Sequence, residues 1–117
     1  MFTIDMSKSK SEIPHGSLDL LVLRVLDTMG AVHGYAIARR LEQVVGSATR
    51  LSQGAVYPAL IRLEQGGFIS TRWGVSETNR EVKFYELTLA GAHHLRQEIA
   101  SWEQSTALIA RFLGAGS

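Results

Sequence analysis

The chain contains no cysteine, which excludes disulfides and thiolate metal sites and fits a reducing cytosol. It has almost no excess of either charge: 12 Lys and Arg stand against 11 Asp and Glu, a formal net charge of +1. A basic field that holds nucleic acid by charge alone is therefore lacking. Contact to phosphate has to come from a few placed residues and from binding as a dimer. No apolar run approaches the roughly 20 residues that a membrane span needs, and the opening MFTIDMSKSKSE lacks the apolar core of a secretory signal. The expectation is a cytoplasmic chain with no membrane partner. Ligand spacing is missing as well: His93 and His94 are adjacent and on a helix point about 100° apart, while His15 and His33 have no acidic or histidine neighbours at metal-binding intervals. No metal and no cofactor is expected. There is no nucleophile beside a base, no paired carboxylates in a recognisable site and no phosphate loop, so an enzyme is not expected either.

What the chain does have is concentrated between Leu51 and Leu87, LSQGAVYPALIRLEQGGFISTRWGVSETNREVKFYEL. With Ser52 as N-cap, Val56, Ala59, Leu60 and Leu63 fall on one side of a helical wheel and form a core face. The opposite side carries Gln53, Gly54, Tyr57, Pro58, Ile61, Arg62 and Gln65, a hydrogen-bonding, aromatic and cationic mixture almost free of carboxylate. Such a face suits phosphates and base edges: Gln53 fits adenine, Tyr57 and Arg62 fit phosphate or base edges, and Ile61 fits a thymine methyl. Singly, each of these residues is as well explained by a solvated helix face; the set carries the argument. Pro58 removes a backbone donor, so a kink is expected, and Gly66-Gly67 supplies the stop. Phe68, Ile69, Thr71 and Trp73, then Val82, Phe84, Tyr85 and Leu87, mark two strands joined by a turn over 76–80. Arg72, Arg80 and Lys83 lie on this hairpin near its tip, diluted by Glu77 and Glu81. A helix followed at once by a basic hairpin is the outline of a winged helix-turn-helix.

The flanking segments fit that outline. Ser17 reads as the N-cap of a first helix with Asp19 in its first turn, opposing the helix dipole. Leu18, Leu21, Val22, Val25 and Met29 are its candidate core, yet Leu20 and Leu23 occupy a second side, so the helix is expected to be covered twice, the second time by another subunit. A second helix from about Tyr35 to Val45 buries Ile37, Ala38, Leu41 and Val45. Thr88 caps a last helix to about Leu113, along which Leu95, Ile99, Trp102, Thr106, Ile109 and Leu113 recur at spacings of four and three, a heptad seam. At about 1.5 Å per residue that helix outreaches a small domain. It is expected to dimerise the chain, with Leu20 and Leu23 joining the interface.

The expected organisation is a single chain unit, mainly α with a small β-hairpin: a flexible arm over 1–14, a winged helix DNA-binding domain over 15–88 and a long C-terminal dimerisation helix over 89–117. A winged helix that binds protein instead of DNA is the alternative, since the fold alone does not fix function.

Four stretches, GSLDLLVLRVL, HGYAIARRLE, LSQGAVYPALIRLEQGGFIS and KFYELTLAGAHHL, resemble the PadR family of transcriptional regulators, in particular its short members with one C-terminal helix. The most specific element is Tyr57-Pro58 followed by Leu60 and Arg62-Leu63-Glu64. The resemblance implies a homodimeric repressor that binds a pseudo-palindromic operator and is released by a small, often aromatic ligand. It further implies that Tyr57 and its neighbours contact double-stranded DNA, that Arg80 and Lys83 belong to a basic wing, and that Trp102, with Ile99 beside it, meets a flat effector in the dimer seam. Two positions depart from the family pattern: Asn79-Arg80 stands where a glycine-arginine pair is frequent, and Ile61 where a polar residue is.

Overall fold

The computed structural model describes residues 11–12, 15–45, 49–50 and 53–114. In chain order these form β1 (Ser11–Glu12), α1 (His15–Met29), β2 (Val32–His33), α2 (Gly34–Val45), β3 (Thr49–Arg50), α3 (Gln53–Gln65), β4 (Ile69–Val75), β5 (Glu81–Leu87) and α4 (Leu89–Phe112). The result is the mainly helical architecture with a small β wing that the sequence suggests. β1 and β3 pair in parallel, with Ser11 opposite Thr49 and Glu12 opposite Arg50. Residues 11–12 of the expected arm are thus paired; the remainder of 1–14, and the expected cap Ser52, lie outside the described residues.

The core forms where four helices meet one face of a three-stranded sheet ordered β2-β5-β4. Val22, Leu23 and Leu26 of α1, Ile37 and Leu41 of α2, Val56, Leu60 and Leu63 of α3, Ile69 and Tyr85 of the sheet and Leu95 of α4 are all buried. Removing each large aliphatic side chain from water contributes about 2 kcal/mol, against the entropy of ordering the chain. The buried α3 residues are those its apolar side predicts. On α1 the prediction is too generous in one place and too sparing in another. Met29 is 44% exposed, while Leu23, assigned to a partner, is 1% exposed within its own chain. Leu20 is half-buried and packs against the same core. Within its own chain α1 is covered by α2, α3, α4 and β5, which all pack on it.

Each helix boundary has a local cause. α1 begins at His15, so Ser17 lies inside its first turn and is not its cap, and Asp19 falls beyond that turn and takes a tertiary partner instead. α3 runs through Pro58 without interruption and ends in a Schellman motif. Gly67 takes φ +79°, the Phe68 N–H bonds the Leu63 carbonyl and the Gly67 N–H bonds the Glu64 carbonyl, each at 3.0 Å, a geometry that favours glycine.

At the start of α4, Thr88 joins three segments. Its hydroxyl accepts from the Gly91 N–H at 3.0 Å and donates to the Gly67 carbonyl at 2.7 Å, and its own N–H donates to the Phe68 carbonyl at 3.1 Å. Gly91 is needed for this approach, since a Cβ there would overlap the Phe68 carbonyl oxygen.

Candidate nucleic-acid interface

α3 packs its buried side against α1, α2 and β4, leaving Gly54, Tyr57, Pro58, Ile61 and Gln65 outward. Tyr57 is 51% and Ile61 55% exposed. Gln53 is the first residue of α3, and its side chain lies outside the described residues. The Tyr57 ring rests against Gly34, the first residue of α2: a Cβ on Gly34 would stand 3.1 Å from the phenol oxygen. The outward side of α3 therefore runs on to the head of α2, where the helix dipole favours an anion. Within that head the Ala36 N–H donates to His33 Nδ1 at 3.3 Å.

Arg62 departs from the expected set. Its Nη2 lies 2.6 Å from Asp19 Oδ1 and its Nε 3.3 Å from Oδ2, a fork-to-carboxylate pair that raises the guanidinium pKa. Arg62 thus faces α1 and ties the outward helix to the core. Asp19 serves as its partner and not as a dipole charge. An ion pair across 43 positions has no local signature, and helical spacing alone places Arg62 on the outward side.

The same end of α3 is fastened to the wing by Glu64, a residue the sequence gives no reason to single out. The Thr71 hydroxyl donates to its carboxylate at 3.2 Å and Lys83 Nζ stands 3.9 Å away. Lys83 also lies 5.8 Å from the Tyr85 ring centre. Burial first, then the nearby Tyr57 and Glu64, pushes the Tyr85 phenol above its ordinary pKa, so it stays neutral and can donate a hydrogen bond.

At the wing tip, Asn79 takes φ 62°, the left-handed conformation that asparagine tolerates better than most residues. The Asn79 N–H bonds the Ser76 carbonyl at 2.9 Å and the Ser76 N–H bonds the Arg80 carbonyl at 2.8 Å, which closes the turn without the glycine frequent in the family. Arg80 is exposed there. Lys83 stands at the edge of α3, whereas Arg72 covers the Phe84 ring at 5.1 Å on the outer face. The edge strand β2, absent from the sequence reading, pairs Val32 with Tyr85 and His33 with Phe84, so the α1–α2 connection anchors the wing.

The seam on α4 divides. Leu95 is 2% exposed and belongs to the core of its own chain, not to an interface; Ile99 is half-buried against that core. Beyond them Trp102, Leu108, Ile109, Phe112 and Leu113 are 55–84% exposed, and Thr106 is exposed with them. Trp102, Thr106 and Ile109 line a shallow groove of about 370 Å³.

Among the described residues no group of histidine and acidic side chains is placed to hold a metal ion, and no helix is long and apolar enough to cross a membrane.

The model of the transcriptional regulator PadR-like family matches residues 22–97. A negative transcriptional regulator PadR from Bacillus subtilis (strain 168) is 32% identical over 73 residues, 62% of this chain. The match spans only 38% of that relative's length. The crystal structure of the B. subtilis PadR in complex with operator DNA superposes with a TM-score of 0.62 at 29% identity, covering 71% of this chain and 46% of the other. A transcriptional regulator from Clostridium thermocellum gives a TM-score of 0.73 at 27% identity over 83% of this chain and 90% of its own. With a family match across α1 to α4 and a wing built on the same plan, the chain belongs to the PadR-like family of transcriptional regulators.

Proposed function

We propose that this chain is a ligand-responsive repressor that binds operator DNA as a homodimer. The observation that carries the reading is the continuous surface formed by the outward side of α3, the head of α2 and the wing. Gly54, Tyr57, Pro58 and Ile61 present hydrogen-bonding and apolar groups where a major groove presents base edges and thymine methyls. Arg80 and Lys83 flank them for the sugar-phosphate strand, and Gln53, at the start of α3, is the candidate partner of an adenine. The solved complex of the B. subtilis relative with operator DNA supports the same partner for this chain. Arg62 acts indirectly, by holding α3 on α1 through Asp19.

Dimerisation rests on the distal part of α4. Large apolar side chains exposed together on one helix are covered when a second copy packs on them, and Trp102, Thr106, Ile109 and Leu113 form that seam, with Leu20 and Ile99 at its inner margin. Two copies related by a twofold axis place their recognition helices on half-sites about 34 Å apart, hence a pseudo-palindromic operator. A flat aromatic effector beside Trp102 and Ile99 would favour a different spacing of the two heads and so weaken operator binding.

Fluorescence anisotropy with DNA from upstream of its own gene and with a scrambled duplex, across a salt series, tests the reading. Tighter binding to the upstream fragment, with a slope reporting several phosphate contacts, is expected. Equally weak binding to both would remove specific operator recognition. An unchanged operator affinity with every ligand that binds the dimer would remove the effector.

A further inference from the structure

The two faces of the wing treat their aromatic residues differently. Along β4, Ile69, Thr71, Trp73 and Val75 share one face, and the register sets them opposite Leu87, Tyr85, Lys83 and Glu81. At the inner end this face is core: Ile69 is 2% and Tyr85 7% exposed. The core stops at Glu64, where Thr71 and Lys83 meet α3. One step further out Trp73 is 66% exposed, and Val75 beyond it 64%. On the outer face the aromatic surface is covered from within: Phe84 lies across Gly74, with Arg72 above its ring and His33 edge-on at 6.2 Å. Among the described residues no ring or cation packs on Trp73. The largest side chain of the wing is left open on the side that α3 occupies.

We propose that Trp73, with Val75 beside it, is the wing's apolar contact to the deoxyribose groups of the DNA strand bordering the groove read by α3; this rests on the DNA-binding reading above. A sugar-phosphate strand alternates C–H surface with anionic phosphate, and the wing alternates in kind. Trp73 stands directly opposite Lys83, and Lys83 in turn stands at the edge of α3. The position follows from the ladder: Trp73 lies level with the end of the recognition helix, where the strand that walls its groove would pass.

Charge decides between occupants. On the outer part of the wing, residues 72–83, Arg72, Arg80 and Lys83 stand against Glu77 and Glu81, while Glu86 lies at the inner end opposite Ser70, and Glu64 on α3 is engaged by Thr71 and Lys83. That balance suits a polyanion better than a second cationic wing. Moreover, Lys83, opposite Trp73, reaches Glu64 at the end of α3, the helix that leaves Tyr57 and Ile61 exposed.

Apolar contact releases no counterions, and this separates Trp73 from its cationic neighbour. The test uses the full chain, a labelled duplex from upstream of its own gene and a salt series. Trp73→Ala is expected to weaken binding about tenfold while leaving the slope of log affinity against log salt unchanged. Lys83→Ala is expected to flatten that slope by about one. In parallel, tryptophan emission of the wild type should change on adding unlabelled duplex, and that component should vanish in Trp73→Phe, which keeps Trp102. Because Trp73 is largely exposed, the variants should retain the wild-type circular dichroism. Binding of Trp73→Ala equal to wild type, with wild type itself DNA-bound, would overturn the inference and leave DNA binding intact. A change confined to the sedimentation coefficient would overturn it in favour of a contact between copies. Absence of wild-type binding to any duplex would remove both readings.

Discussion

The head of the molecule and the distal part of α4 use the same residue types to opposite ends. Every fully buried apolar residue described lies between Leu18 and Leu95, and beyond Leu95 the helix continues for more than four turns with Trp102, Leu108, Ile109, Phe112 and Leu113 open. One heptad pattern spans both parts, so pattern alone does not tell which apolar side chains serve the chain's own core and which serve a neighbour. Packing decides: α1 and the wing cover Leu95, and among the described residues Ile109 is left 57% exposed.

Substitutions on either side of that divide sharpen the contrast. The largest effect belongs to Leu95→Ala, which deletes a buried side chain against α1 and should cost about 3 kcal/mol of folding stability in urea. The loss should be the same in a background carrying Ile109→Asp; a loss that disappears there would show that Leu95 acts through a partner after all. Ile109→Asp itself places a charge on the exposed seam. Sedimentation equilibrium should show self-association weakened more than about tenfold, while amide protection in α1–α3 is retained. If the head loses protection as well, the two regions are one cooperative body. The smallest effect is at the join between α1 and α3. Asp19→Ala and Arg62→Ala should each cost little, and their double-mutant cycle should return a coupling below about 1 kcal/mol, because the pair is a quarter to a third exposed. Operator affinity should fall equally in both variants. A loss restricted to Arg62→Ala would return that guanidinium to direct DNA contact.

What the sequence disclosed, and what it withheld, follows from the range of each interaction. Thr88 and Gly67 are legible because caps and stops are decided within a turn of chain, and α4 starts and ends within a residue of the expected place. The two long strands are legible because seven residues suffice for alternation. β2, with only Val32 and His33, is too short to carry a period. The Arg62–Asp19 pair and the Glu64–Lys83 contact join residues distant in sequence and come from folding, not from local pattern. Trp73 reads as a strand residue from sequence; only the end of α3 shows that its face has run out of cover.

The junction at Thr88 has a mechanical meaning. A helix of 24 residues, about 36 Å long, is bonded through one threonine to Gly67 and Phe68, the connection between α3 and β4. Those bonds, with Leu95 buried against α1, join the first turns of α4 to the head as one packed unit. Under the proposed effector response, a change of angle at the far end of α4, where Phe112 and Leu113 lie open, would reach α3 through that joint.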